Sequence, residues 1–592
     1  MDKPLIYFCV SMVIGCLCAL ILKNNLVLDV AIAASFFTCI FLTCEKRYTL
    51  IMTGFFIIGF LSFNFYFDIN LDNKSSCAFR IITKNKFSAV GSYEGRNINI
   101  IGNIFDVNEG EKIRATGEFK KDIDYSRGNL GTFKVKYIEN RQKDIISYLY
   151  SFRKSIYREF YWRLGENNTA KIMSVAFGDT SYLSMEDKYD FKKLGIVHVI
   201  SVSGLHILII FKALESFLPL EISIITAAVY AVFTGAQAAT LRSLIMIIIL
   251  KLSKKFSKNY DAFSALSMAA MILLMAKPYY VIDIGFALSF LSTLGISLFH
   301  KKLSRILYRF PDKINESLSL TLSAQSLSMP YVLFTIKNFA LGFLLGDLFL
   351  IPMYSVIVVL SNIALVTCFI KPIFNIMCML INITMAAING GTSLLVKISP
   401  PMVYMSTINI IFILSLYPCY IFIKKGYKKF KFAPIILGLV IIIYQYNFFP
   451  KIDQVTLKSG SGFVVRYRGR NILISDYKIN NEEEKSELQG RFNINSFMTN
   501  SEADYKIVIN EKYLVYIPKV QGINNIIQVT SLNNNGSVID LRGDRLRYKT
   551  INWPENYAIM KIDINTKNKN IDLPRNNINF QIFMDKAMVY KD

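Results

Sequence analysis

Hydrophobic residues run along this chain in long blocks, not in the short periodic patterns of a soluble domain. Blocks near 5–22, 26–44, 49–67, 194–217, 221–250, 261–276, 281–299, 317–336, 339–370, 373–398, 403–423 and 432–449 approach the length of a membrane span. An α-helix needs about 20 apolar residues to cross a bilayer core. Two regions depart from this pattern. Residues 68–143 alternate apolar and polar positions, as in "NINIIGNIF", "KIRATGEFK" and "GTFKVKYIE", with glycines between the short strands. Residues 451–592 are again strand-like, as in "YKIVINEKYLVYI". The pattern predicts a polytopic α-helical membrane protein with an OB-like β-barrel domain and a small C-terminal β-rich domain, both extracytoplasmic. It divides into N-terminal transmembrane helices (1–67), the barrel (68–143), amphipathic interfacial helices (144–190), a transmembrane domain (191–450) and the C-terminal domain (451–592).

Composition agrees: 53% of residues are hydrophobic and mean hydropathy is +0.36. "VIGC" near residue 16 resembles a lipoprotein cleavage site. A second apolar block follows after only Lys23-Asn24-Asn25, so a retained first helix is expected. Of nine cysteines only Cys77 lies in a soluble region, so no disulfide is expected within either soluble domain.

Net charge is +24, and its distribution sets an orientation. Basic short loops stay cytoplasmic. Residues 251–258, 300–313 and 424–431 are such loops, which places the C-terminal domain outside, and Glu45-Lys46-Arg47 on the inside places the segment after 67 outside as well. One conflict follows. Two simple crossings at 194–217 and 221–250 would leave the 251–258 loop on the wrong side. Either 194–217 enters and returns, or 221–250 breaks near Gly235.

The suspect region holds most of the polar chemistry. "GIVHVISVSGLHILII" carries His198, Ser201, Ser203, Gly204 and His206 within an apolar run. On a straight helix eight residues rise about 12 Å, so the two histidines cannot share one metal ion. Their structural reading is interhelical hydrogen bonding; their functional reading is a polar path or gate. Arg242 lies deep in an apolar block, with Asp283 and Asp347 as candidate partners for a structural ion pair, or else it contacts phosphate. Gln325 is an intramembrane amide of the kind that often only bridges helices. In the barrel, residues 73–143 hold 14 Lys/Arg against 8 Asp/Glu, a net of +6. Lys84, Lys86, Lys120, Lys121, Lys134 and Lys136 supply charge for a polyanion, and Phe119, Phe133 and Tyr137 are candidate base-stacking rings. A basic surface facing lipid headgroups is the competing reading. No GxxxxGK[ST] loop and no metal-ligand spacing occur, so neither cofactor nor metal is expected.

Several segments resemble ComEC-type competence proteins in order along the chain. They are "GEFKKDIDYSRGNLGTF", "AFGDTSYLSMEDKYDFKKLGIVHVISVSGLHILII", "YAVFTGAQAATLRSLIMIIIL", "KPYYVIDIGFALSFLSTLGI", "SAQSLSMPYVLF" and "GDLFLIPMYSVIVVL". Asp347 stands where the family has Asn, and Asn-Leu-Gly replaces Asn-Pro-Gly near residue 130. The resemblance implies an inner-membrane channel translocating single-stranded DNA into the cytoplasm, with membrane lipid around it. It also implies a DNA receptor and uptake machinery outside and an ATP-driven translocation helicase inside. "LKSGSGFVVRYRGRNILISDY" resembles the opening strands of a metallo-β-lactamase-like domain, but no histidine follows His300. A degenerate remnant without enzymatic activity is therefore expected. The rival readings are a small-solute or ion transporter with a basic outer domain, and a structural membrane scaffold.

Overall fold

The computed structural model describes residues 3–23, 25–69, 76–85, 88–104, 106–200, 204–400, 402–457, 460–480 and 482–499, and beyond these the strands between 505 and 590. The chain divides into two compact units, 1–335 with 340–401, and 336–339 with 402–592.

The first unit opens with α1 (Pro4–Leu22), α2 (Leu26–Thr43) and α3 (Lys46–Phe67). Glycines bring α1 and α3 into backbone contact: a Cβ on Gly15 would lie 2.2 Å from the Phe56 carbonyl, and one on Gly59 would lie 2.3 Å from that of Met12. Five strands follow: β1 (Cys77–Lys84), β2 (Ser88–Tyr93), β3 (Arg96–Gly102), β4 (Lys112–Asp124) and β5 (Asn129–Gln142). They form a closed barrel in the order β1-β2-β3-β5-β4. Alternation explains the closure, because Phe79, Ile81, Ile98, Ile100, Ile113 and Phe133 point inward and are buried.

The barrel is seated on the membrane helices. Tyr66 at the end of α3 donates to the Gly128 carbonyl (3.1 Å) and accepts from the Asn97 amide (3.1 Å). Gly128, at φ +66°, lies so close to the Tyr279 ring that a Cβ would approach within 2.3 Å. Lys23 stands over the Tyr125 ring at 5.2 Å. These contacts fix one end of the bundle as the barrel pole.

Three helices then form a layer on the barrel side: α4 (Ile145–Leu164), α5 (Glu166–Phe177) and α6 (Met185–Lys193). Asp144 caps α4 through the Ser147 amide (3.1 Å), and Arg80 of the barrel holds its carboxyl down to about 2. Arg153 of α4 reaches back to Glu109 of the barrel at 3.0 Å.

Next come α7 (Val197–Ile200), α8 (Gly204–Glu215), α9 (Leu220–Phe233) and α10 (Ala238–Lys255). The predicted span 221–250 is therefore two helices, broken at Gly235 (φ +94°) and Ala236 (φ +47°). Ion pairs show how they run. Lys251 near the end of α10 meets Glu215 at the end of α8, and Lys255 meets Glu221 at the start of α9 at 2.9 Å. Thus α9 is antiparallel to both neighbours, and residues 204–255 fold as three short helices instead of two long ones. The break near Gly235 is one of the two irregularities the charge count allowed, and three crossings by these helices would satisfy that count. Of the predicted span 194–217, α7 and α8 are described, and residues 201–203 between them lie outside the described set.

The unit continues through α11 (Ala262–Ala276), α12 (Ile284–Ile306) and α13 (Asp312–Ile336). A short turn α14 (Phe343–Leu345) and a π-helical turn Gly346–Leu350 lead into α15 (Ile351–Thr367), followed by α16 (Lys371–Ile398). Lys3 pairs with Asp261 at 2.6 Å, so the starts of α1 and α11 share a pole.

In the second unit, β6 (Asn338–Phe339) pairs with β7 (Val403–Tyr404), and α17 (Thr407–Lys424) and α18 (Ala433–Tyr446) precede the C-terminal strands. A six-stranded sheet has the order β11-β10-β9-β8-β17-β18. Its members are β8 (Lys451–Thr456), β9 (Ser461–Tyr467), β10 (Arg470–Ser475) and β11 (Ser496–Thr499), with β17 and β18 closing the chain at Asn579–Phe583 and Lys586–Tyr590. Helix α19 (Glu482–Phe492) connects β10 to a parallel β11. Strands β12 (Tyr505–Ile509), β13 (Tyr513–Ile517), β14 (Ile526–Ser531), β15 (Asn535–Asp540) and β16 (Thr550–Asn552) form a separate five-stranded sheet in sequence order.

Among the described residues, eight helical segments are long and apolar enough to cross a membrane, so this is a polytopic membrane protein. Reporter fusions after residues 100, 255, 306, 428 and 500 are expected to read outside, inside, inside, inside and outside. An inside signal at 500 would defeat the external placement of the C-terminal domain.

Candidate functional site

The polar residues of the opening transmembrane passes are positioned by glycine. Gly195 adopts φ +68° to end α6, its amide bonding the Lys192 carbonyl at 3.0 Å. A Cβ there would lie 2.5 Å from the Phe343 side chain, so the corner packs directly on α14. Ser174 of α5 donates to the Ile200 carbonyl at 3.2 Å and anchors the end of α7. Ser201 and Ser203 lie outside the described residues. Gly204 then starts α8 hard against α10. A Cβ on it would sit 2.1 Å from the Ser243 hydroxyl and 2.9 Å from an Arg242 guanidinium nitrogen.

Arg242 is 9% exposed. Its Nε donates to the Ser289 hydroxyl of α12 at 2.9 Å, one terminal nitrogen approaches Met246 Sδ at 3.5 Å, and the Phe290 ring lies 5.9 Å away. No carboxylate among the described residues lies within ion-pair distance. The expected partners are engaged elsewhere. Asp283 caps α12 by accepting from the Phe286 amide at 2.6 Å. Asp347 lies in the π turn, with its Oδ1 3.7 Å from His198 Nε2. That oxygen is buried without a hydrogen-bond partner. Neither candidate acid pairs with Arg242 among the described residues: the start of α12 holds Asp283, and His198 lies beside Asp347. A π turn widens the backbone by one residue and often marks a functional position.

His206 is buried on α8. The contacts form two groups: Gly204, Arg242 and Ser289 join α8, α10 and α12, and His198 with Asp347 joins α7 to the π turn. Gln325 accepts from Ser328 within α13 at 3.4 Å, and no bond joins it to either group among the described residues. Sequence reasoning missed Ser243, Ser289 and Thr321, the last a polar neighbour of Asp347. A signal existed. Ser319, Ser323 and Ser326 recur at helical spacing on α13, and Gly295 of α12 packs on the Ser323 carbonyl, where a Cβ would lie 2.3 Å away. Among the described residues no group of His, Cys, Asp or Glu is placed to hold a metal ion.

On the barrel, Lys120, Lys121, Lys134 and Lys136 are exposed, and Tyr137 is 67% exposed. Lys136 pairs with Glu118 at 2.6 Å, and Lys84 donates to the Val107 carbonyl at 2.7 Å. Phe133 is 1% exposed and fills the barrel core, which removes it as a stacking ring; alternation along β5 points it inward and its lysine neighbours outward. Phe119 is half-buried against that core. Lys86 lies outside the described residues.

These features define a multi-pass membrane protein with a polar seam between its helices and a basic barrel at one pole. Residues 175–425 match the family model described as Competence protein, which bears out the family resemblance, and the seam from His198 to Asp347 falls inside the match. The chain is also 24% identical over 215 residues to the ComE operon protein 3 of Bacillus subtilis (strain 168), covering 35% of this chain. It spans 27% of the length of that relative. No solved structure matches it.

Proposed function

We propose that the chain is a channel for single-stranded DNA across the bacterial cytoplasmic membrane in natural transformation. DNA arrives at the barrel and leaves at the pole marked by Glu215 and Lys251. The observation that carries this reading is the buried Arg242 beside Gly204, with no carboxylate in ion-pair distance among the described residues. A guanidinium at membrane depth costs about 2.5–3.5 kcal/mol on insertion scales unless hydrated or paired. A protein keeps such a group where an anion passes, and phosphodiesters suit its planar donors. The Ser243 and Ser289 hydroxyls beside it add polar surface that a wall of Leu and Ile lacks.

The closed order β1-β2-β3-β5-β4 supports an OB-like assignment for the barrel, a fold that binds oligonucleotides. Lys120, Lys121, Lys134 and Tyr137 form its DNA-facing surface. A receptor and uptake machinery deliver DNA outside, and an ATP-driven helicase draws it in. The C-terminal domain acts as a degenerate metallo-β-lactamase-like remnant, not a hydrolase. The purified protein is therefore expected to leave DNA intact with zinc or manganese; chelator-sensitive cleavage would overturn that.

The decisive test is uptake of labelled DNA in a strain lacking this gene, expected to stop at the outer face and to resume on complementation. Binding tests the barrel. Lys120→Ala with Lys121→Ala in the full protein in nanodiscs should weaken single-stranded DNA binding and lower the salt slope by roughly 1.4, at about 0.7 per phosphate contact. Unchanged affinity and slope would assign the basic surface to lipid headgroups.

A further inference from the structure

Helices α15 and α16 have the length and hydropathy of spans, yet their contacts put both ends at the barrel pole. We propose that this hairpin does not cross the membrane. It lies along the barrel-side leaflet, with an apolar face against acyl chains and a polar edge against α4 and α5.

Depth is set by α8, α9 and α10. Their basic pole carries Glu215, Glu221, Lys251 and Lys255; the opposite pole carries Phe233 and Ala238. Asp261, just after α10, pairs with Lys3 at the start of α1, whose far end places Lys23 over Tyr125 of the barrel, so the end with Phe233 and Ala238 is the barrel pole. The hairpin begins there. Gly346 packs on the Leu194 carbonyl, where a Cβ would lie 2.4 Å away, and Asp347 meets His198. His198 precedes Gly204, which contacts α10 about one turn from Ala238. The turn after α15 returns to the same pole: Phe369 stacks on Phe152 of α4 at 6.1 Å, and Phe152 meets Phe233 at 6.5 Å. Between these anchors Gly346–Thr367 runs about 32 Å at 1.5 Å per residue. That equals the hydrocarbon thickness of about 30 Å. A helix normal to the membrane cannot hold both ends at one depth, so this one runs sideways.

Helix α16 adds an independent observation. Asn375, Asn382 and Asn389 recur every seven residues along one edge. They bond Arg163 Nε (2.9 Å), Asn168 (3.3 Å) and Lys171 (2.9 Å), and Lys171 also pairs with Asp187 at 3.0 Å. All four partners sit in the α4–α6 layer, before the first pass of the three-helix group. Ile376, Met379 and Ile383 of α16 and Val366 of α15 are exposed, which suits contact with acyl chains. Charge counting misses this arrangement, because two crossings and none leave the 424–431 loop on the same side.

The test is the side of the α15–α16 turn and does not depend on DNA transport. In a variant with the nine native cysteines replaced by alanine, Lys371→Cys should react in intact cells with a membrane-impermeant maleimide. Ser126→Cys in the barrel serves as the outer control and Lys258→Cys as the inner one. Labelling of Lys371→Cys only after permeabilisation would overturn the proposal. Should that cysteine stay silent in both states, a protease site inserted after Ile370 decides: cleavage from the barrel side supports the proposal, and cleavage only from the opposite side defeats it.

Discussion

Replacing Gly204 by leucine is expected to abolish passage of DNA into the cytoplasm while DNA still binds outside and the protein still accumulates. The first added atom already lies 2.1 Å from the Ser243 hydroxyl, 2.9 Å from an Arg242 nitrogen and 3.2 Å from Ser243 Cβ. Rotating the Ser243 hydroxyl relieves only the first contact. The remaining leucine atoms must push α8 away from α10 or drive Arg242 out of its bond with Ser289. Overpacking of this kind costs typically 1–3 kcal/mol, which a domain with about 5–15 kcal/mol of stability survives. Geometry at the seam does not survive it, since a displaced guanidinium no longer faces the path. Gly204→Ala, adding the Cβ alone, should be intermediate. Ser201→Ala with Ser203→Ala should slow uptake less severely, because it removes hydroxyls without adding bulk. Normal uptake by Gly204→Leu at a normal protein level would mean that the glycine serves helix packing and that the path runs elsewhere.

Much of this was legible because hydrophobic blocks, basic loops and glycines are local signals. The charge rule alone required an irregularity in 194–250, and Gly235 marked the place. The sequence did not reveal that the break turns the chain back. A hairpin of two short apolar helices reads as one long run when its turn, Thr234–Gln237, carries no charge. Partner choice was also illegible. Asp283 looked available to Arg242 until its place at the head of α12 assigned it to a backbone amide. Asp347 looked equivalent to Asp283, but the π turn brings it to His198. Phe133 looked like a stacking ring because aromatic residues beside lysines mark nucleic-acid surfaces, whereas strand parity buries it. Each miss is a long-range contact deciding between two uses of one side chain.

Arg242 offers the sharpest separation of a transport role from a structural one. A structural cation would hold its helices through a carboxylate, and removing it would leave that acid buried and unpaired, at a cost of about 3–5 kcal/mol. Here the bonded partners are the Ser289 hydroxyl and the Met246 sulfur, both neutral. Arg242→Met, apolar and of similar length, is therefore expected to keep or raise the amount of folded protein in the membrane. DNA uptake should behave oppositely. A charge-assisted hydrogen bond is worth about 1.5–3 kcal/mol, so losing a phosphate contact in the path should slow uptake by roughly tenfold to a hundredfold. Arg242→Lys is the discriminating variant. It restores the charge but not the planar fork that bonds Ser289 and a phosphate together, so it should recover only a small part of the rate. Full recovery with lysine would reduce the requirement to positive charge in the seam. Normal uptake by Arg242→Met would remove the phosphate contact, and the channel reading would lose the observation that carries it.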